Sequence, residues 1–398
     1  MTGKIIVYRW NSNSEEVLVR TMKRMGIEVT EITRQIRDYH ADAAFAGELI
    51  EKIHKEKPIA VFSYNYFPII SSVCEINKLP YLCWIYDCPL YTLNSATIRN
   101  TCNYIFCFDE IYAQQLRARG AVCCIHMPLG VDVCGLMQSI EAQSSKERQR
   151  YSCDISFVGS MYNDDKNRLR KMLADGCGEY LTGYLEGIIA AQKNVYGFHF
   201  VEEALSEAVV GEIAGRCELS LGKLYEYTQR ELAAAAVDLE ITAREREEAL
   251  LAAAEISKVE LYTGSELQGE LREHINIRNR GYADNKKEMP LIFSGSKINL
   301  NITSKSIASG IALRVLEVLA CGGFCITNYQ LETAEFLADG EEIVMYNDLR
   351  DLQEKLRYYL EHEEERTQIA LKGQKAVRER FSLEDRIRDM LTVIGVQL

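Results

Sequence analysis

The chain of 398 residues sets 46 Lys and Arg against 58 Asp and Glu, a formal charge of −12, which excludes a broad basic surface for nucleic acid or anionic membrane and leaves only a focused pocket for any phosphate. With 47% hydrophobic and 26% charged residues it has the make-up of a globular protein, long enough for two domains. Its 13 cysteines are scattered, with no paired zinc-ligand spacing, and read as buried thiols of a reducing, cytoplasmic protein without a metal cluster. The opening MTGKIIVYRW reads as a first strand, and no apolar run has the length of a membrane span.

From the N-terminus, short apolar runs alternate with helical patterns. This predicts a parallel, doubly wound sheet with strands near residues 4–8, 29–32, 60–63, 81–86, 104–108 and 123–127. Ligands gather at the carboxyl ends of such strands, where the chain places Arg9, Asn11, Tyr64, Asn65, Asp87, Asp109 and Leu129–Gly130. Asp87, in IYDCP, is the candidate for acid–base work because it follows a strongly apolar strand and precedes a proline turn; the competing role is an aspartate that caps the turn. Asp109 is the second choice. Asp132 in PLGVD is read as fixing a turn, and His126 as a structural histidine of a core strand. This domain is expected over residues 1–139, followed by a polar linker over 140–151.

A second domain is expected over 152–381. Its first strand, 153–158, ends in Gly159–Ser160 ahead of Lys166 and Arg168, an arrangement that lets a phosphate or sugar approach the backbone. Residues 180–258 turn Ala-rich and charged, as in ELAAAAVDLEITAREREEALLAAAEI. They are read as a helical insertion to which no chemistry is assigned, with a face suited to internal packing, an acceptor or homodimer pairing. Strands at 258–262 and near 274–278 bring Gly264 and Tyr282 to strand ends, where they suit a nucleobase pocket. The stretch 294–330 reads as strand, loop, helix and strand. Ile298, Leu300 and Ile302 alternate with Asn299 and Asn301, so one face is polar, toward a cleft or toward cross-strand amide bonds. The helix is expected over 311–321, opening at Ser309–Gly310 with free N–H groups that make an anion site. Arg314 and Glu317 share a face near that opening. The guanidinium suits a diphosphate and the carboxylate a ribose diol; the plainer reading is an i, i+3 salt bridge. A strand at 341–346 and two helices precede a last helix with an apolar stripe of Ile387, Met390, Leu391 and Ile394. There is no GxxxxGK[ST] loop and no nucleophile elbow.

The stretches SGIALRVLEVLACGGFCITNY and GEEIVMYNDLRDLQEKLRYYLEHEEERTQIALKGQKAVRERF resemble the CgeB-like (spore-maturation type) glycosyltransferases, related to the larger GT-B group with two facing Rossmann domains. So do YNYFPIISSVCEINKLPYLCWIYDCP, MPLGVD, CDISFVGSMY and EMPLIFSGSKINLNIT. The resemblance implies an α/β, GT-B architecture whose C-terminal helix, residues 382–398, returns to the first domain. It further implies metal-independent transfer from a nucleotide-diphospho-sugar, UDP-sugar favoured and GDP- or dTDP-sugar open, to a hydroxyl of a protein, glycan or small molecule, with no tightly bound cofactor. In that frame Asp87 is the base, while Arg314, the Gly310 helix start and Lys166 or Lys305 neutralise the diphosphate. Glu317 holds the ribose, and Gly159, Ser160, Gly264, Tyr282 and Asn301 line the donor site. Many retaining relatives carry two glutamates eight positions apart; Ser309 stands at the first of those positions, so the sugar side there is neutral. The alternatives are a non-catalytic nucleotide-sugar-binding or coat-assembly protein, and an epimerase or hydrolase on the same architecture.

Overall fold

The computed structural model describes residues 3–397 apart from Asn13, Leu221 and Lys223. It divides into two compact units, Met1–Asp132 with Leu221–Tyr227 and Phe381–Leu398, and Val133–Ser220 with Thr228–Arg380.

The first unit is a six-stranded parallel sheet built from β1 (Lys4–Tyr8), β2 (Glu28–Ile32), β3 (Ala60–Tyr64), β4 (Tyr81–Trp84), β5 (Asn103–Cys107) and β6 (Cys124–His126), in the order β2-β1-β3-β4-β5-β6. Its central strands are continuous apolar runs: Ile5, Ile6, Val7, Ala60, Val61 and Phe62 are fully buried because helices cover both faces. The last helix, Leu383–Val393, belongs to this unit. Ser382 Oγ accepts the N–H of Asp385 (3.3 Å), and Ile387, Met390 and Leu391 are buried. Part of the region expected as a second-domain insertion also lies here. Tyr225 forms a β-bridge to Ser95, Glu226 N–H donates to Asn94 O (2.7 Å), and Arg99 grips the Glu226 carboxylate at 2.9 and 2.6 Å.

The second unit is another parallel sheet, of β7 (Cys153–Val158), β8 (Val259–Tyr262), β9 (Ile277–Asn279), β10 (Ser296–Asn301), β11 (Cys325–Asn328) and β12 (Val344–Tyr346), in the order β12-β11-β10-β7-β8-β9. The stretch expected as a linker is helical at Ser145–Gln149, because Ser144 Oγ caps Glu147 N–H (3.2 Å) and Arg150 pairs with Glu147 one turn on. The 26-residue helix Gln229–Ala254 crosses over between β7 and β8. Ala249, Leu250, Ala253 and Ala254, near its end, pack into the sheet core with Ile155, Ile298 and Ile326. Ala233, Ala234, Val237 and Ile241, near its start, pack into a separate core with Leu185, Ile189, Val209 and Ile213 of the neighbouring helices. No helix among the described residues is long and apolar enough to cross a membrane.

Candidate functional site

In the second unit the chain lays β8 and β9 to one side of β7, then returns to place β10, β11 and β12 on the other. The strand order therefore reverses between β7 and β10, and the crevice at their carboxyl ends is where such sheets take ligands. Gly159 and Ser160 leave β7 at this point. A Cβ at Gly159 would lie 3.1 Å from the Phe157 ring and 3.4 Å from Arg246 Nη1, so glycine is what lets the turn close over what lies beneath. Ser265 Oγ accepts the Met161 N–H (3.0 Å), and Ser160 Oγ accepts that of Tyr162 (3.1 Å).

Beneath the turn lies a group the sequence did not disclose. Arg246, from the long crossover helix, donates through Nη1 to Ser160 O and through Nη2 to Ile302 O (2.9 Å), bridging the residues that follow β7 and β10. Its guanidinium stacks on Tyr162 (4.7 Å) and Phe157 (5.4 Å) and is buried without an ion pair among the described residues. Burial pulls its pKa below the arginine range, and Arg314 is near enough for its charge to add to that effect. Glu245 opposes the shift only from a distance, and a cation kept dry without a carboxylate in contact costs several kcal/mol, which an anionic ligand in the crevice would offset. Arg246, within the stretch 180–258 to which no chemistry was assigned, thus sits at the switch point.

The helix after β10 runs over Leu313–Ala320 rather than over 311–321. Gly310, Ile311 and Ala312 precede it, Ala312 being the extended N-cap, because the fully buried Ile311 side chain anchors that approach to the core. The free N–H groups consequently belong to the turn that carries Arg314 itself. Arg314 Nη1 pairs with Glu317 Oε2 at 2.6 Å and donates to Met289 Sδ at 2.9 Å, with the guanidinium 5.3 Å from the Phe293 ring centre. Burial lifts the Glu317 carboxyl above its usual range, against the pull of Arg314.

The other expected donor-side residues divide. Gly264 and Tyr282 come together, a Cβ at Gly264 falling 4.0 Å from Tyr282 Cβ, and the Tyr282 ring is largely exposed. Asn301 is buried, and its amide donates to Thr303 Oγ1 (3.0 Å) and Thr327 Oγ1 (2.9 Å), so its nitrogen ties β10 to β11. Asn299 likewise donates to Phe293 O and Phe324 O, the cross-strand role that alternation had left open. Ser309 Oγ donates to Glu332 Oε1 at 2.6 Å, which brings a buried carboxylate from after β11 to the position where the sequence has none. Lys305 is held by partners within the chain at the end of β10. It is buried against Glu245 (3.0 Å) and the Tyr196 ring (4.1 Å), because those groups offer it charge and π density away from solvent. Lys166 lies exposed in the turn after β7, its N–H held by Asp164 Oδ1 (3.1 Å).

In the first unit Asp87 stands beyond β4. Asn65, in the left-handed region at φ 60°, donates through Nδ2 to Asp87 Oδ2 (2.7 Å), and its Oδ1 accepts the N–H groups of Tyr86 (2.9 Å) and Asp87 (3.1 Å). Partial removal from water raises the carboxyl above the aspartate range, and the Asn65 bond opposes this. The residue's outer edge stays open to solvent. Asp109 is instead the buried N-cap of the helix Glu110–Ala118, accepting Tyr112 N–H at 2.8 Å. Asp132 pairs with Arg20 (3.2 Å) and Arg24 (3.4 Å), and half-buried His126 lies 3.9 Å from Glu110. The turn after β1, the counterpart of the crevice turn after β7, is filled by the chain itself: buried Glu15 accepts the N–H groups of Trp10 (2.8 Å) and Asn11 (3.1 Å).

Over nearly its whole length the chain superposes on HepE of Anabaena in complex with UDP and glucose, with a TM-score of 0.56 at 9% identity, covering 98% of this chain and 100% of that one. Sucrose-phosphate synthase from Thermosynechococcus elongatus gives a TM-score of 0.57 at 10% identity and 99% coverage of both chains. The fold is GT-B. A UDP-forming α,α-trehalose-phosphate synthase from Burkholderia xenovorans shares this GT-B fold at a TM-score of 0.52 and 12% identity, with 100% coverage of both. Residues 244–392 match the family model described as glycosyl transferase-like. An uncharacterized protein of Aquifex aeolicus (strain VF5) is 32% identical over 123 residues, and this match spans only 30% of each chain. The family match starts two residues before Arg246 and takes in Gly264, Tyr282, Asn301, Ser309, Arg314 and Glu317.

Proposed function

We propose that the protein transfers a sugar from a nucleotide-diphospho-sugar to an acceptor hydroxyl, and that the resemblance to CgeB-like glycosyltransferases extends to this activity. The observation that carries the reading is the dry Arg246 guanidinium held on Ser160 O and Ile302 O at the β7–β10 switch point, within electrostatic reach of Arg314, in a chain whose net charge is −12. Two cations there form a focused site for the diphosphate, and their positive charge meets the negative charge that grows on it as the sugar departs. Glu317 exchanges its bond to Arg314 for the ribose hydroxyls when the donor binds. Tyr282 and Gly264 flank the nucleobase, and Ser160 approaches the phosphates. A UDP-sugar is the favoured donor, in keeping with the UDP and UDP-glucose bound by HepE. Asp87, with its raised pKa and solvent-facing edge, takes the acceptor proton. The test is release of free nucleoside diphosphate from UDP-, GDP- and dTDP-sugars with candidate acceptors present. Sugar conversion without nucleotide release would replace this reading with an epimerase, and binding without turnover would replace it with a non-catalytic receptor.

A further inference from the structure

The loop 195–200, with sequence VYGFHF, links two helices of the insertion and is held in one shape by a buried glutamine. Gln192 Nε2 donates to Val195 O (3.2 Å) and Phe198 O (2.9 Å), and its Oε1 accepts the Phe200 N–H (2.9 Å). The loop lies over the carboxyl ends of β10 and β11. Tyr196 receives the Lys305 ammonium that follows β10, and at Gly197, with φ at +75°, a Cβ would stand 3.1 Å from the ring of Tyr329, which follows β11. Within the loop His199 is oriented by a carboxylate: its Nε2 lies 2.7 Å from Asp238 Oδ1. Its Nδ1 has no hydrogen bond among the described residues. An imidazole fixed in orientation and tautomer with one nitrogen unused is built to meet a ligand hydroxyl.

The sheet order gives the ligand's direction, on the proposed reading that a nucleotide-sugar binds in the crevice. With the base at β8–β9 and the diphosphate at β7–β10, the sugar extends toward β10–β11, beneath this loop. We propose that loop 195–200 forms the sugar end of the donor crevice, with the imidazole of His199 hydrogen-bonded to a hydroxyl of the donor sugar and Asp238 acting as its positioning residue. Calorimetric titration of wild type and of His199→Ala with UDP, GDP and dTDP, and with the glucose conjugate of each, tests this. The variant is expected to bind the nucleoside diphosphate within about twofold of wild type and its glucose conjugate about tenfold more weakly, the worth of one hydrogen bond. Asp238→Asn loses part of the same sugar-dependent increment, and His199→Gln, which keeps a hydrogen-bonding group, restores part of it and serves in place of the alanine variant if that does not fold. Equal weakening toward both ligands, or no change toward either, overturns the assignment of His199. Failure of wild type to bind any of the six ligands overturns the donor reading beneath it.

Discussion

Replacing Glu245 by glutamine isolates one buried charge whose titration falls near neutrality. Glu245, one residue before Arg246, lines a cavity of about 120 Å³ with Lys193, Tyr196, Glu248, Tyr346 and Asp348, and faces Lys305 at 3.0 Å. Burial raises its pKa to about 7 from 4.5, with Lys305 and Lys193 opposing and Glu248 adding to the rise. Because the folded value lies above the unfolded one, the native chain holds a proton that the unfolded chain has released between those two values. The stability this proton contributes is fully present below about pH 4.5 and is lost as pH rises through 7. At 1.36 kcal/mol per pH unit, that gap is worth on the order of 3 kcal/mol. Chemical denaturation of wild type and Glu245→Gln at intervals from about pH 5 to about pH 8 measures it. The glutamine changes the absolute stability through Lys305, so the quantity to follow is the wild-type minus variant difference, which should fall by a few kcal/mol as pH rises. A flat difference curve would refute the argument, since it would mean Glu245 ionises alike in both states.

Arg246→Met should lower affinity for the nucleoside diphosphate by about ten- to a hundredfold by calorimetry, the range for a lost charge-assisted contact of 1.5–3 kcal/mol. Its thermal midpoint should stay close to that of wild type, because removal of a buried cation offsets the loss of the donors to Ser160 O and Ile302 O. Arg314→Ala should reduce turnover at saturating donor by more than it weakens donor binding; unchanged turnover would remove Arg314 from leaving-group stabilisation. Asp87→Asn should abolish transfer while leaving donor affinity intact, and wild-type rates in that variant would end its case as the base. Gly373→Ala places a Cβ 2.3 Å from Glu342 O and 2.9 Å from Leu319 Cδ2, so denaturation should show a loss of about 1–3 kcal/mol, exceeding the gain of about 1 kcal/mol in helix propensity.

Strands were the legible part of this chain because their apolar runs report burial on both faces, and Gly159, Gly264 and Tyr282 were legible because they stand at the ends of such runs. Arg246 was hidden for the opposite reason. In AREREEALLAAA, arginines and glutamates alternate as on a solvated helix, yet Glu245 and Arg246 are both buried. Their partners Lys305, Ser160 and Ile302 lie more than fifty positions away and leave no local pattern. Lys305 was assigned to the diphosphate for the same reason, since its partners Glu245 and Tyr196 are remote in the sequence. The late helix start was obscured by Ile311, which fits the helical period but spends its side chain anchoring the approach. His199 was passed over because only the folded chain brings Asp238 to it.

The crossover helix Gln229–Ala254, roughly 39 Å long at 1.5 Å per residue, is shared between two cores. Neither core can melt without loosening the rod that the other is packed on, so the insertion and the second sheet should lose their amide protection together, as one cooperative block. A chain trimmed of the insertion by cutting within that helix would strip Ala249, Leu250, Ala253 and Ala254 of their support and open one face of the sheet. What looks like an appendage in the linear order is, mechanically, a lever whose short arm lies against the switch-point strands. Strain or ligand contact at the insertion would therefore be felt at the position of Arg246 without passing through any loop.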